Sequence, residues 1–321
     1  MINFFNYLVK IFIPILLVIL INLLIDKRAL INQNYIKSFE KSLRKIDLSV
    51  YFNIPERKLA KLRIENFNNS SFKNMITGSS RVMMIGKNTN HKVFNLGMSN
   101  FTFNDFLYIS ELINNSSIAI DTFILGIDPI LFNENSPLDQ WKNFHNDLNL
   151  GKLRRFVSIK YLMQNVSFPN YSNWDGNKND YVKFSDGSIR YHINDREQEV
   201  TSTIENQIVK NLENYKFINT ELYNLFINKL NNINANKIIL ILNPYNPIIY
   251  NELIELFPIL QKVEDRILLL ENEKIIIIGS FNPYNIALSK YDFNDQVHLN
   301  KNGIKKTYSM IQSPIRSSDV Q

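Results

Sequence analysis

The strongest constraint on the fold is a set of short, almost uninterrupted apolar runs spaced along the chain by helical stretches. They are Lys73-Asn74-Met75-Ile76-Thr77, Lys92-Val93-Phe94-Asn95-Leu96-Gly97, Ala119-Ile120-Asp121-Thr122-Phe123-Ile124-Leu125-Gly126, Lys237-Ile238-Ile239-Leu240-Ile241-Leu242 and Lys274-Ile275-Ile276-Ile277-Ile278. A strand with one wet face alternates apolar and polar residues, whereas these runs hardly alternate, so both faces are expected to be covered. Helical spacing over 103–112, 205–230 and 250–268 supplies the cover. The expectation is an α/β fold: a flavodoxin-like, doubly wound parallel five-stranded sheet, with chemistry beyond the carboxyl ends of its strands. Ser80, Gly97, Asp128, Pro244 and the Asp295/His298 pair all fall there.

Three further regions frame that domain. Residues 4–25 are nearly all apolar and, as a helix, would rise about 30 Å, the thickness of a hydrocarbon core, so a single-pass transmembrane anchor to the lipid bilayer is expected. No small-residue cleavage site follows; Asp26-Lys27-Arg28 stands there instead. Residues 26–70 read as a juxtamembrane connector, helical around Tyr35–Ile46, and residues 71–321 as the α/β domain. Within it, 133–200 is polar and aromatic, with turn signals at Asp175-Gly176 and Asp186-Gly187, and reads as an insertion outside any sheet.

Composition narrows the chemistry. The chain has no cysteine, which excludes disulfides, thiolate metal sites and a cysteine nucleophile. A net charge of +6 invites a nucleic-acid reading, but the basic residues are scattered among acids with no stripe to follow a phosphate backbone, and no nucleic-acid partner is expected. The four histidines are too dispersed for a metal site, and no metal or organic cofactor is implied. A nucleotide-binding flavodoxin-like protein would need a glycine-rich phosphate loop, and Gly78-Ser79-Ser80-Arg81 has one glycine.

Two short segments carry the candidate chemistry. Gly78-Ser79-Ser80-Arg81 follows the first strand, where a tight turn can expose a serine hydroxyl and aim backbone N–H groups at a developing oxyanion. The same turn also suits a plain helix N-cap. Asp295-Gln296-Val297-His298 precedes the last helix, and a carboxylate three residues before a histidine can hold one ring nitrogen while the other faces the serine. A surface loop with a capping aspartate fits it as well. His91, His145 and His192 have no comparable neighbour.

Gly78-x-Ser80-Arg81, Asn95-x-Gly97, Gly126-x-Asp128 and Asp295-x-x-His298 stand in this order after successive strands. Together they resemble the four sequence blocks of the SGNH/GDSL hydrolases. The resemblance is closest to a membrane-anchored branch similar to polysaccharide O-acetyltransferases and the D-alanine transfer proteins of Gram-positive envelopes. It covers 70–130 and 237–310. It implies Ser80 as nucleophile, His298 as general base, Asp295 as the residue orienting His298, and Gly97 as an oxyanion donor. The family usually has Asn where this chain has Asp128. An ionised Asp cannot donate a hydrogen bond and would repel the developing charge, so Asp128 is either protonated, otherwise employed, or the mark of a weaker oxyanion hole.

The activity implied is serine-dependent acyl transfer or ester hydrolysis on a cell-envelope polysaccharide or glycan. Arg81, Trp174 and Tyr191 are candidate substrate contacts, beside Tyr171, Tyr181 and Arg190, although the aromatic residues equally suit a satellite hydrophobic cluster. An integral-membrane acyl-transfer partner follows from the resemblance alone. So does a bacterial inner-membrane location with an extracytoplasmic catalytic domain, although Lys27, Arg28, Lys37, Lys41, Arg44 and Lys45 beyond the apolar run would by the positive-inside rule place that domain in the cytoplasm. The alternatives are a simple esterase or lipase-like hydrolase, and a catalytically silent membrane-tethered scaffold of a polysaccharide assembly complex.

Overall fold

The computed structural model describes residues 2–26, 33–51, 54–116, 118–133, 156–167, 171–177, 180–191 and 202–309. In chain order the elements are α1 (Ile2–Ile25), α2 (Asn34–Leu43), β1 (Leu48–Ser49), α3 (Glu56–Glu65), β2 (Asn74–Thr77), β3 (Phe94–Asn95), α4 (Phe103–Asn115) and β4 (Ile120–Ile127). Then come α5 (Ile159–Ser167), β5 (Ser172–Asn173), β6 (Val182–Lys183), β7 (Ile189–Arg190), α6 (Asn206–Leu212) and α7 (Thr220–Asn231). The last are β8 (Ala235–Leu242), α8 (Pro247–Leu256), α9 (Ile259–Leu268), β9 (Ile275–Gly279) and α10 (Lys301–Tyr308).

Five strands form one parallel sheet in the order β3-β2-β4-β8-β9. Its two faces separate residue by residue. Met75, Phe123, Leu125, Ile238 and Leu240 join one buried cluster, while Ile76, Ile124, Ile239 and Ile241 join the other. Right-handed crossovers explain what covers each face. The steps to β4, β8 and β9 all run in one direction, and α4, α7, α8 and α9 lie together against the first face. The step from β2 to β3 runs the opposite way, so the segment Val82–Ile85 lies on the second face, later joined by Ile304 and Tyr308 of α10.

The expected helices over 205–230 and 250–268 are each broken in two. Asn214 takes a left-handed conformation between α6 and α7, and Ile218 bridges to Asn133. Pro258, which lacks an N–H, separates α8 from α9.

The expected insertion and connector require a larger correction. β1 from residues 26–70 pairs with β5 and β6, and β6 with β7, giving a four-stranded antiparallel sheet in the order β5-β1-β6-β7. Three short strands of 133–200 thus do belong to a sheet, and the connector supplies one of its inner strands. Ile36, Phe39, Leu43, Leu48 and Leu59 form a third buried cluster, so burial ties this region into the fold. Arg63 of α3 is wholly buried. Its Nη2 donates to Ser185 O at 2.9 Å and its guanidinium lies 4.2 Å from the Phe94 ring centre. Burial lowers its pKa to about 10 against the opposing pull of Asp186 and Glu40.

The expected anchor over residues 4–25 is overturned: among the described residues no helix is long and apolar enough to cross a membrane. The expected inner-membrane, single-pass location is withdrawn with it. The end of α1 engages the chain itself. Asn22 Nδ2 donates to Phe156 O at 2.8 Å, and Asp26 accepts from the Tyr161 hydroxyl at 2.8 Å, with both Asn22 and Asp26 buried. Counting apolar residues does not register such docking. Phe12, Leu16 and Leu24 remain exposed.

Both Asp-Gly signals mark turns in which glycine has positive φ, +96° at Gly176 and +95° at Gly187. Gly176 faces open space, whereas a Cβ on Gly187 would collide with the Asn95 carbonyl oxygen. Gly187→Ala is therefore expected to lower the unfolding free energy by about 2–3 kcal/mol. Gly176→Ala should lose only the backbone term, about 1 kcal/mol. Urea denaturation of the two variants checks this; equal losses would show that the hairpin does not press on β3.

Candidate active site

β2 ends at Thr77, and Gly78 turns the chain at φ +144°, so close to β4 that a Cβ would lie 3.0 Å from the Gly126 carbonyl oxygen. The Ser79 hydroxyl then accepts from Arg81 N at 3.3 Å and caps a one-turn 3-10 helix over Ser80–Val82. Val82, Met83, Met84 and Ile85 are buried behind it. The cap and the half-buried Ser80 hydroxyl are thus two aspects of one turn. Among the described residues the Ser80 N–H finds no acceptor.

The second half is built by the loop before α10. Asn294 N donates to His298 O at 2.8 Å and closes the loop. Asp295 Oδ1 accepts from Val297 N at 2.8 Å and His298 N at 2.7 Å, while Oδ2 lies 2.7 Å from His298 Nδ1. One carboxylate therefore shapes the loop with one oxygen and orients the imidazole with the other. Burial alone would raise its pKa. The His298 ring's hydrogen bond and charge, with the two backbone N–H groups, outweigh that and hold it below the usual aspartate value. With Nδ1–H donated to Asp295, Nε2 carries the lone pair, and it stands 2.8 Å from Ser80 Oγ. Ser80, His298 and Asp295 are thus in continuous contact, although Ser80 is distant in sequence from the other two.

The expected oxyanion donors are arranged differently. The Gly97 N–H donates to Asn95 Oδ1 at 2.7 Å, so it is already engaged. Asn95 Nδ2 in turn donates to Val82 O at 2.8 Å and Ile85 O at 2.7 Å, stapling the segment behind Ser80. Asp128 accepts from Arg81 Nη1 at 2.8 Å.

Of the candidate substrate contacts, Tyr191 lies beside the site, with its ring centre 6.3 Å from that of His298 and 5.8 Å from that of Tyr181. Burial, then the Glu56 and Asp295 carboxylates, raise its phenol pKa and keep it protonated. Trp174 instead packs on Phe184 and under the Arg190 guanidinium, and its Nε1 donates to Asn177 O. Tyr171 packs on Phe39 and meets Ser38 and Ser42 of α2. Arg81 turns inward, away from solvent. His91 is buried against Thr89 and Tyr308, and its burial lowers its pKa. His145 and His192 lie outside the described residues.

Sequence reasoning missed the residues that fix the histidine loop from outside. Asn246, the cap of α8, donates through its N–H to Gln296 O at 3.0 Å and through Nδ2 to Asp295 O at 3.1 Å. Asn243 Oδ1 accepts from the Tyr308 hydroxyl at 3.0 Å and so ties α10 to the end of β8. The signal was present as two Asn residues at the end of one strand, Asn243-Pro244 and Asn246-Pro247, a pairing that opens turns and helices.

No family model matches the chain, and no curated protein matches it. A solved structure from Streptococcus pneumonia, provisionally described as a platelet activating factor, aligns over 88% of this chain and 98% of its own at 10% identity and a TM-score of 0.36. A likeness that loose supports nothing about the fold or chemistry here.

Because the Asp295 pKa is lower folded than unfolded, its stabilisation is present above the unfolded value and lost as pH falls through the folded one. Urea denaturation should show Asp295→Asn less stable than wild type at about pH 5 and above. The margin should close below about pH 4, where the unfolded carboxyl protonates. A margin independent of pH would show that the charge of Asp295 is not what the loop holds.

Proposed function

We propose that this chain is a serine-dependent esterase or acyltransferase of the SGNH/GDSL kind, with Ser80 as nucleophile. The observation that carries the reading is the chain Ser80 Oγ–His298 Nε2 at 2.8 Å and His298 Nδ1–Asp295 Oδ2 at 2.7 Å. The strand order β3-β2-β4-β8-β9, that of a flavodoxin-like doubly wound sheet, supports it by placing all three residues past the carboxyl ends of strands.

In this mechanism Ser80 Oγ attacks the ester carbonyl as its proton passes to His298 Nε2, and Asp295 stabilises the imidazolium. The tetrahedral oxyanion forms by the Ser80 N–H at the start of the 3-10 turn. Collapse breaks the bond to the alcohol, which leaves with the proton from His298, and Ser80 keeps the acyl group. Water or an acceptor hydroxyl then attacks the acyl-enzyme, giving its proton to His298, and Ser80 is restored. The substrate we favour is an acylated carbohydrate, in the cell envelope as the resemblance implies. The Tyr191 ring beside His298 supports this, since an aromatic ring edge suits a sugar.

A second reading, a catalytically silent scaffold, is favoured by the engaged Gly97 N–H and by Asp128 paired with Arg81. A fluorophosphonate probe, applied to the full chain, separates the two. Wild type is expected to be labelled, Ser80→Ala and His298→Ala to show none, and Asp295→Asn to label on the order of 10³–10⁴-fold more slowly. A folded wild type that does not label, or label retained in Ser80→Ala, sinks the enzyme reading.

A further inference from the structure

Arg81 follows Ser80 directly, yet it reaches three other loops. Its Nε donates to Val297 O at 3.1 Å, Nη1 to Asp128 Oδ1 at 2.8 Å, and Nη2 to Asn243 O at 2.8 Å and to Pro244 O. The guanidinium carbon lies 4.5 Å from the Tyr245 ring centre. The residue is 8% exposed. These partners stand after β4, after β8, and in the loop of His298.

Val297 is the residue before His298, so its carbonyl belongs to the peptide from which the imidazole hangs. Asn246 fixes the carbonyls of Asp295 and Gln296, and Arg81 fixes that of Val297. The same side chain is anchored, through its own backbone, to the serine turn. It is therefore a strut between nucleophile and base. A misplacement of about 1 Å between such groups can cost on the order of 10²-fold in rate. Among the described residues the Asp128 side chain bonds Arg81 Nη1, which holds the fork in the orientation that reaches Val297.

We propose that Arg81 is a positioning residue that sets His298 against Ser80, and that Asp128 is its counter-ion and takes no part in the oxyanion hole. This rests on the serine-hydrolase reading above and adds to it. The departure of Asp128 from the family pattern then has a cause: an Asn here would leave the buried guanidinium without a compensating charge.

The test uses the full chain, with the fluorophosphonate labelling rate followed against pH and stability followed by urea denaturation. The His298 ring proton shifts, assigned by comparison with His298→Ala, are recorded on the same samples. The double variant Arg81→Met/Asp128→Leu removes both charges with little change of volume, a replacement that buried ion pairs tolerate. It should fold, label at least 10²-fold more slowly with a displaced pH midpoint, and show moved His298 resonances. Arg81→Lys keeps a charge but loses the fork, and should recover less than a tenth of the wild-type rate. Asp128→Asn keeps an acceptor for Nη1 and should slow labelling by less than tenfold. A folded double variant within threefold of wild type, with unmoved His298 resonances, overturns the positioning role. Faster labelling by Asp128→Asn overturns the counter-ion role, since it would mean that an amide donor serves the oxyanion. If wild type does not label yet the His298 resonances move in the double variant, the serine reading fails and the strut stands.

Discussion

A guanidinium withdrawn from water must find acceptors in the protein, and the burial of Arg81 makes that demand on the loops at the carboxyl edge of the main sheet. The acceptors it finds come from three of them: a carboxylate after β4, two carbonyls after β8, and one carbonyl in the loop before α10. Removing one member of a buried ion pair typically destabilises by about 3–5 kcal/mol, because the other is left uncompensated. The loops that carry the site are thus tied to each other as firmly as to their own strands. Tyr308, bonded to Asn243, extends the same network to the last described helix.

The sheet beneath explains why so few residues suffice. Parallel strands bring their carboxyl ends to one edge, and β2 and β4 are neighbours, so the Ser80 turn and Asp128 meet without any long loop. The close approach of Gly78 to Gly126 sets how near these two loops lie. On the second face the antiparallel sheet brings Ile189 and Tyr191 against the residues that support Ser80. Residues 189–191, between β4 and β8, are therefore part of the wall of the site.

Reading the sequence recovered what has a periodic or compositional signature. The five strands were legible because burial on both faces erases alternation, Ser80 because it follows a strand and a glycine, and Asp295 and His298 because of their three-residue spacing before the last helix. β1, β5, β6 and β7 were not, since two-residue strands are too short to show a period, and β1 lies more than 120 residues from β5. The Arg81–Asp128 pair was missed for a related reason: it joins residues 47 apart whose meeting follows only from the order of strands. Gly97 was read as a free donor because the sequence does not reveal that the Asn95 side chain folds back onto it. Residues 4–25 were read by hydropathy alone, which ignores where Asn22 and Asp26 find their partners.

The contact between Ser80 and His298 spans 218 residues. During synthesis the serine turn, with its strand β2, leaves the ribosome long before the histidine loop exists, and domains fold as their chain emerges. Until β9 and the loop after it are in place, Ser80 is an ordinary hydroxyl with no base beside it. The Ser80–His298 contact therefore forms only in the last stage of folding, and a chain cut before the histidine loop carries a serine without that partner.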